Sequence, residues 1–111
     1  QVIINLLNNA RDSLLERKIE LPNIQVEIKR KHSSILITVC DNANGVPKDI
    51  IEKIFDPYFT TKDSLRGTGI GLYMSKTIIE EHMGGILSVH NTSHGACFSI
   101  KFLIVFSTSL M

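Results

Sequence analysis

Long apolar runs are missing from this chain of 111 residues. The longest, Phe102 to Phe106, falls far below the roughly 20 residues that a spanning helix needs, and no secretory signal peptide is read at the start. Charge of neither sign is in excess: 12 Lys and Arg stand against 11 Asp and Glu, a formal net charge of +1. That balance points to neither a nucleic-acid nor a membrane-surface partner. Cysteine is scarce. Cys40 and Cys97 lie in apolar, strand-like stretches with no CxxC spacing and no Cys/His pairing, so neither a zinc site nor a dithiol redox motif is indicated, and two buried reduced thiols are expected. Glycine is absent before Gly45, and all seven glycines fall at or beyond it, in loops and at helix ends. Such clustering hints at a ligand site, although turns gather glycine in most proteins.

What is present belongs to one small folded domain. The chain is 43% hydrophobic and 21% charged, ordinary for a globular protein, and its length supports a single modest core over residues 1–111. From Gln1 to about Lys18, Val2, Ile3, Leu6, Leu7, Ala10 and Leu14 recur with helical spacing. The first residue already lies inside this helix without a cap, so a domain cut from a longer protein, N-terminally truncated, is expected. Ile24, Val26 and Ile28 alternate with polar residues, and Ile35 to Cys40 is a second β-rich run, together a hairpin. A polar loop, Asp41 to Pro47, leads to a short helix around Asp49 to Ile54 and an irregular stretch from Asp56 to about Gly69. A second long helix, roughly Ile70 to His82, ends at Gly84-Gly85, where glycine suits a left-handed cap. Ile86 to His90 and Ala96 to Val105 form a further hairpin around Ser93-His94-Gly95. The order implies an α+β, two-layer architecture with helices on one face of a mixed, mostly antiparallel sheet.

Four constellations carry chemistry. Asn5, Asn9, Asp12 and Glu16 form one narrow strip on the first helix, where asparagine is a poor helix former and calls for a reason. A solvated stripe is one; the other is that an amide oxygen serves as a neutral ligand to a hard cation such as magnesium. Asp41-Asn42-Ala43-Asn44-Gly45 follows a strand directly, and its carboxylate accepts hydrogen bonds only. It suits the exocyclic amine of adenine and repels the carbonyl of guanine, unless the segment is an ordinary Asx-rich turn. Gly67-Thr68-Gly69-Ile70-Gly71-Leu72 opens the second helix, where free backbone N–H groups can hold phosphate oxygens. It lacks both the GxxxxGK[ST] spacing and a βαβ frame. Phe55-Asp56-Pro57-Tyr58-Phe59-Thr60-Thr61-Lys62 combines apolar anchors, hydroxyls and a lysine in a stretch fit for a lid. Lys62 and Arg66 are the nearby cations able to meet a terminal phosphate, or else solvated charges.

In this order, QVIINLLNNA (Gln1 to Ala10), DNANGVP (Asp41 to Pro47), IFDPYFTTK (Ile54 to Lys62), GTGIGL (Gly67 to Leu72) and HGACFSI (His94 to Ile100) resemble the nucleotide-binding domain shared by sensor histidine kinases, gyrase-type ATPases, HSP90 and MutL. The lid-like box is similar to that of the histidine kinases in particular. The resemblance covers nearly the whole chain and implies a Bergerat-type ATP-binding fold. Asn9 would then bind Mg2+, with Asn5 assisting near the metal and phosphates, and Asp41 would take the adenine amine, with Gly45 also lining the cofactor site. Phe59, Thr61, Gly67, Thr68, Gly69, Gly71 and Leu72 would complete the ATP site, and Asn5, Lys62 and Arg66 would serve catalysis. Relatives that hydrolyse ATP carry a Glu four residues before the metal-binding Asn; here that position is Asn5, which takes no proton.

The resemblance further implies transfer of the γ-phosphate to a histidine on a dimerisation domain of the same protein, and onward to a response regulator. The full-length protein would be a cytoplasmic homodimer, membrane-anchored or not, and this piece a monomer. None of His32, His82, His90 and His94 has the acceptor context, a histidine followed by Glu or Asp on a dimerising helix; they read as surface or turn residues. Ala43 stands where the family has the first glycine of DxGxG, and Cys97 where threonine often follows the last glycine box. These departures bear on nucleotide affinity and keep a non-catalytic, nucleotide-gated interaction module in view, beside an ATPase or an anti-sigma serine kinase.

Overall fold

The computed structural model describes residues 1–59 and 70–104. The first helix, α1, spans Val2–Glu16 and buries Val2, Leu6, Ala10 and Leu14, four residues spaced by four, so that one stripe of the helix faces inward. It ends without glycine. Lys18 instead takes the left-handed conformation (φ 52), and the following amide, Ile19 N–H, closes on the Leu14 carbonyl at 3.2 Å, which satisfies an otherwise free helix-end acceptor.

Strands β1 (Ile24–Lys31) and β2 (Ser34–Asp41) pair antiparallel, turning at His32, whose φ is 54. After the turn segment come α2 (Gly71–Thr77) and its five-residue π-helical continuation Ile78–His82, then β3 (Ile86–Asn91) and β4 (Ala96–Leu103). The strand order is β1-β2-β4-β3, and all three pairings are antiparallel. The expected two-layer α+β arrangement is therefore present, with the sheet more uniformly antiparallel than the mixed one anticipated from sequence.

The register explains the core. Val39 faces Phe98, which faces Val89; Ile37 faces Ile100, which faces Leu87. These cross-sheet rows share one face of the pleat. Leu6, fully buried, packs with Val39, Leu87, Phe98 and Ile100 from the sheet, and with Ile54 and Ile79. Truncating Leu6 to alanine is expected to cost about 2 to 5 kcal/mol, the range for a leucine removed from a closed core.

Three expectations change. The segment anticipated as a helix over Asp49 to Ile54 is a chain of turns: Ile51 N–H makes one helical closure on the Pro47 carbonyl, but Ile50 N–H bonds that same carbonyl, Lys53 N–H that of Ile50, and Asp56 N–H that of Lys53. Three-residue closures of this kind restart instead of propagating, and no α-helix follows. The second long helix reaches His82 as expected, but only Gly71–Thr77 is α-helical and Ile78–His82 winds as a π-helix; Gly85 N–H then reaches back to the Ile79 carbonyl at 2.8 Å as the chain leaves through Gly84 (φ 68). The glycine exit falls where the sequence put it.

Cys40 and Cys97 are the third change, because they are joined as a disulfide across β2 and β4 rather than held as reduced thiols. The two are direct register partners, with Cα atoms 4.1 Å apart. Strand-like stretches 57 residues apart in sequence carry no sign of that pairing.

Candidate nucleotide site

The end of β2 and the start of β4 meet where the polar loop begins. Asp41, only 8% exposed, turns its Oδ1 toward the backbone, accepting from Ala43 N–H at 3.0 Å and Ala96 N–H at 3.3 Å. A carboxylate in so dry a place is held by such donors. Gly95 lies so close that a Cβ there would strike the Asp41 backbone carbonyl and come within 2.8 Å of Oδ1. No side chain is tolerated, which gives the glycine of the HGACFSI stretch its physical reason.

Side chains tie the loop at three further places, beside the Asn44 N–H bond to the His94 carbonyl at 3.1 Å. The Asn42 amide accepts from Asn23 N–H at 2.9 Å and donates to the Leu21 carbonyl at 2.8 Å, fixing the connection between α1 and β1. Asn91, at the end of β3, pairs with both backbone groups of Val46, accepting from its N–H at 2.8 Å and donating to its carbonyl at 2.7 Å. Arg17 Nη1, from the end of α1, donates to the carbonyls of Ala43 and Gly45 at 2.6 and 2.7 Å. Asn44 and Gly45 are left-handed (φ 67 and 81), and a Cβ on Gly45 would lie 2.8 Å from Asn91 Oδ1. Ala43 has no positive φ and is 2% exposed. Its methyl is inside the protein, and glycine's freedom is not used there.

On the other side, α1 meets α2. Asn5 Nδ2 donates to Ser75 Oγ at 3.1 Å and to the Gly71 carbonyl at 3.4 Å, while its Oδ1 accepts from Gln1 Nε2 at 3.2 Å. Ser75 is fully buried, so this contact locks the helices together. Asn9, one turn along, is partly buried and makes no side-chain hydrogen bond to a described residue. Gly71 begins α2 with open space beside its Cα. Leu72 and Phe59, both anticipated near the nucleotide, pack against the core cluster. Thr61, Lys62, Arg66, Gly67, Thr68 and Gly69 lie outside the described residues. The four histidines are exposed, as anticipated.

A second polar corner fixes α2 to the sheet. Lys76 Nζ donates to Glu80 Oε2 at 2.8 Å and the Leu87 carbonyl at 3.0 Å, and Leu87 N–H donates to Glu80 Oε2 at 3.1 Å. The Lys76 hydrogen bond holds the Glu80 carboxyl below its ordinary range, against a smaller opposing effect of desolvation. Lys76 Nζ also sits 4.9 Å from the centre of the Phe55 ring, which meets Phe98 edge-on at 6.1 Å. The lid-like stretch therefore starts from a fixed point.

A sequence profile described as "Histidine kinase-, DNA gyrase B-, and HSP90-like ATPase" matches residues 1–105. The chain belongs to this ATPase family. Among curated proteins, this family member is 39% identical over 107 residues to the two-component sensor PprA of Pseudomonas aeruginosa, covering 91% of the chain and 11% of PprA. It is 34% identical over 102 residues to sporulation kinase A of Bacillus subtilis, covering 92% of the chain and 16% of that kinase. The chain thus spans a small fraction of these relatives' length. Among solved structures it resembles the nucleotide-free catalytic domain of histidine kinase ThkA, with a TM-score of 0.77, 33% identity and coverage of 93% of this chain and 64% of that one. The mycobacterial sensor histidine kinase MprB, at 21% identity and a TM-score of 0.73, shares the fold.

Arg17, Ser75 and Asn91 carry no motif in the sequence, and Asn42 enters there only as one residue of the Asx-rich loop. A basic residue at a helix end reads as a partner of the helix dipole, and asparagine near a turn as a turn former; neither pattern says which distant carbonyl the side chain reaches. Among the described residues, no helix is long and apolar enough to cross a membrane.

Proposed function

We propose that this domain binds Mg-ATP and donates the γ-phosphate to a histidine on a dimerisation domain of the same protein, which passes it to a response regulator. The observation that carries the reading is Asp41. Its Oδ1 is committed to two backbone donors, so Oδ2 remains to accept the adenine amine, a geometry that a guanine carbonyl would oppose.

Magnesium fits the donor set. Asn9 offers a neutral oxygen with no partner among the described residues, and among those residues no group of three or more His, Cys, Asp or Glu forms a dedicated metal cage. A cation that keeps several waters and takes its other ligands from phosphate asks for no more than this. When bound, it would neutralise charge on the phosphates. Gly71 would present backbone at the start of α2, with Gly67, Thr68 and Gly69 ahead of it, and Lys62 and Arg66 would meet the terminal phosphate.

Asn5 favours a phosphate donor over an ATPase. Its amide donates toward α2 and has no basic lone pair to take a proton from water. ATP would be held until an imidazole nitrogen attacks the γ-phosphorus in line; the bond from that phosphorus to the β–γ bridging oxygen breaks, and ADP leaves. A cytoplasmic position follows from the need for ATP, and a homodimer from the dimerisation domain.

The test is transfer of label from γ-labelled ATP to a supplied dimerisation domain, with calorimetry of Mg-ATP binding to wild type and Asn9→Ala. Label on the histidine and loss of magnesium-dependent binding in the variant are expected. Equal binding by both proteins removes Asn9 from the site, and ATP binding without transfer favours the non-catalytic, nucleotide-gated module.

A further inference from the structure

We propose that Arg17 is a positioning residue for nucleotide affinity, acting through the base-side loop without touching the ligand. The inference rests on the reading of Asp41 as the adenine acceptor.

Asn44 and Gly45 are consecutive left-handed residues, φ 67 and 81. A pair of this kind, one of them not glycine, persists when its surroundings hold it. The two carbonyls that Arg17 takes belong to Ala43, which precedes the pair, and to Gly45, which closes it. A single nitrogen, Nη1, reaches both at 2.6 and 2.7 Å, using its two hydrogens on two acceptors. This fixes the distance between them, and with it the turn.

Charge makes the clamp strong, because a guanidinium is always protonated and its hydrogen bonds exceed neutral ones. The side chains of Asn42 and Asn91, which also tie this loop, are neutral amides. Arg17 also caps the C-terminal end of α1, the helix that carries Asn5 and Asn9. It joins the base-side loop to the same rigid element that offers the metal ligand. One amide that Asp41 holds, Ala43 N–H, is two bonds from the Ala43 carbonyl that Arg17 holds, so loosening that carbonyl disturbs the carboxylate directly.

The experiment compares wild type, Arg17→Ala and Arg17→Lys in ATP binding and in phosphoryl transfer to a supplied dimerisation domain, with circular dichroism to confirm folding. Arg17→Ala is expected to raise KM for ATP about tenfold, with kcat at saturating ATP within about twofold of wild type, the signature of lost ground-state positioning. Arg17→Lys, which keeps the charge and reaches one carbonyl, should recover about half of that effect on a logarithmic scale. If the alanine variant fails to fold, the lysine variant carries the test through the same split. An unchanged KM, or kcat falling while KM stays, overturns the role of Arg17 and leaves the adenine reading intact. Absence of ATP binding by the wild type overturns the adenine reading and this inference with it.

Discussion

The loop on the base side and the strip on α1 solve opposite problems with similar residues. Between Asp41 and Pro47, polar side chains reach for backbone: Asp41 for two amides, Asn42 for one amide and one carbonyl, Asn91 for both groups of Val46, Arg17 for two carbonyls. On α1 the backbone is already satisfied by the helix, so Asn5 and Asn9 are free to face other things. One meets α2, and the other has no partner among the described residues. Irregular chain must be immobilised by side chains before it can present a carboxylate, whereas a helix presents side chains on a frame that is rigid beforehand. Damage on the loop side should therefore cost folding stability and binding together. Damage at Asn9 should cost binding alone.

The largest expected effect lies beneath the loop. The Cys40–Cys97 bond closes a separation of 57 residues, for which chain entropy gives a contribution on the order of 4 kcal/mol. Reduction with dithiothreitol should lower the melting temperature by many degrees, and an unchanged transition would show that the staple contributes nothing. Next is Gly95→Ala. The added methyl would push against both the Asp41 backbone carbonyl and the Asp41 Oδ1, so a loss of about 1 to 3 kcal/mol is expected from overpacking, with weakened ATP binding. A variant that melts normally and binds ATP normally would contradict the close approach.

A smaller effect belongs to the helix-to-sheet corner. Glu80 is held in its charged form by Lys76, so its contribution is present above the ordinary carboxylate range and fades as pH falls through the lowered pKa of the folded state. The side chains of Lys76 and Glu80 are 37% and 32% exposed, and solvent screening limits the pair to under about 1 kcal/mol. Glu80→Gln should be slightly less stable than wild type at neutral pH, with the gap narrowing in acid; a constant gap would point to packing instead of charge. Smallest of all is Asn9→Ala in thermal melts. No bond among the described residues is lost, so stability should stay within about 0.5 kcal/mol. A large drop in melting temperature would mean that Asn9 is structural, and the contrast between loop and helix would fail.

Much of this molecule was legible beforehand, for reasons that can be named residue by residue. Leu6, Ala10 and Leu14 announced α1 through their spacing, Val26 and Ile28 announced β1 by alternation, and Gly84 marked the exit from the second helix. The turns after Pro47 were mistaken for a helix because Ile50, Ile51 and Ile54 have spacing that a helix and a chain of tight turns share. Ala43 looked like a threat to the adenine loop because its φ is invisible in sequence; the left-handed position lies one residue later, at Asn44. Cys40 and Cys97 looked inert because their facing depends on the β2 to β4 register.

The sequence by itself determined the family and every element but the segment after Pro47, since periodicity, glycine placement and the order of the motif boxes are local properties. Tertiary structure alone decided that Arg17 would meet the carbonyls of residues 43 and 45, that Asn91 would meet Val46, and that two cysteines would bond. Each of those contacts joins residues far apart along the chain. Such pairs are brought together by burial of the shared core, which no local pattern encodes.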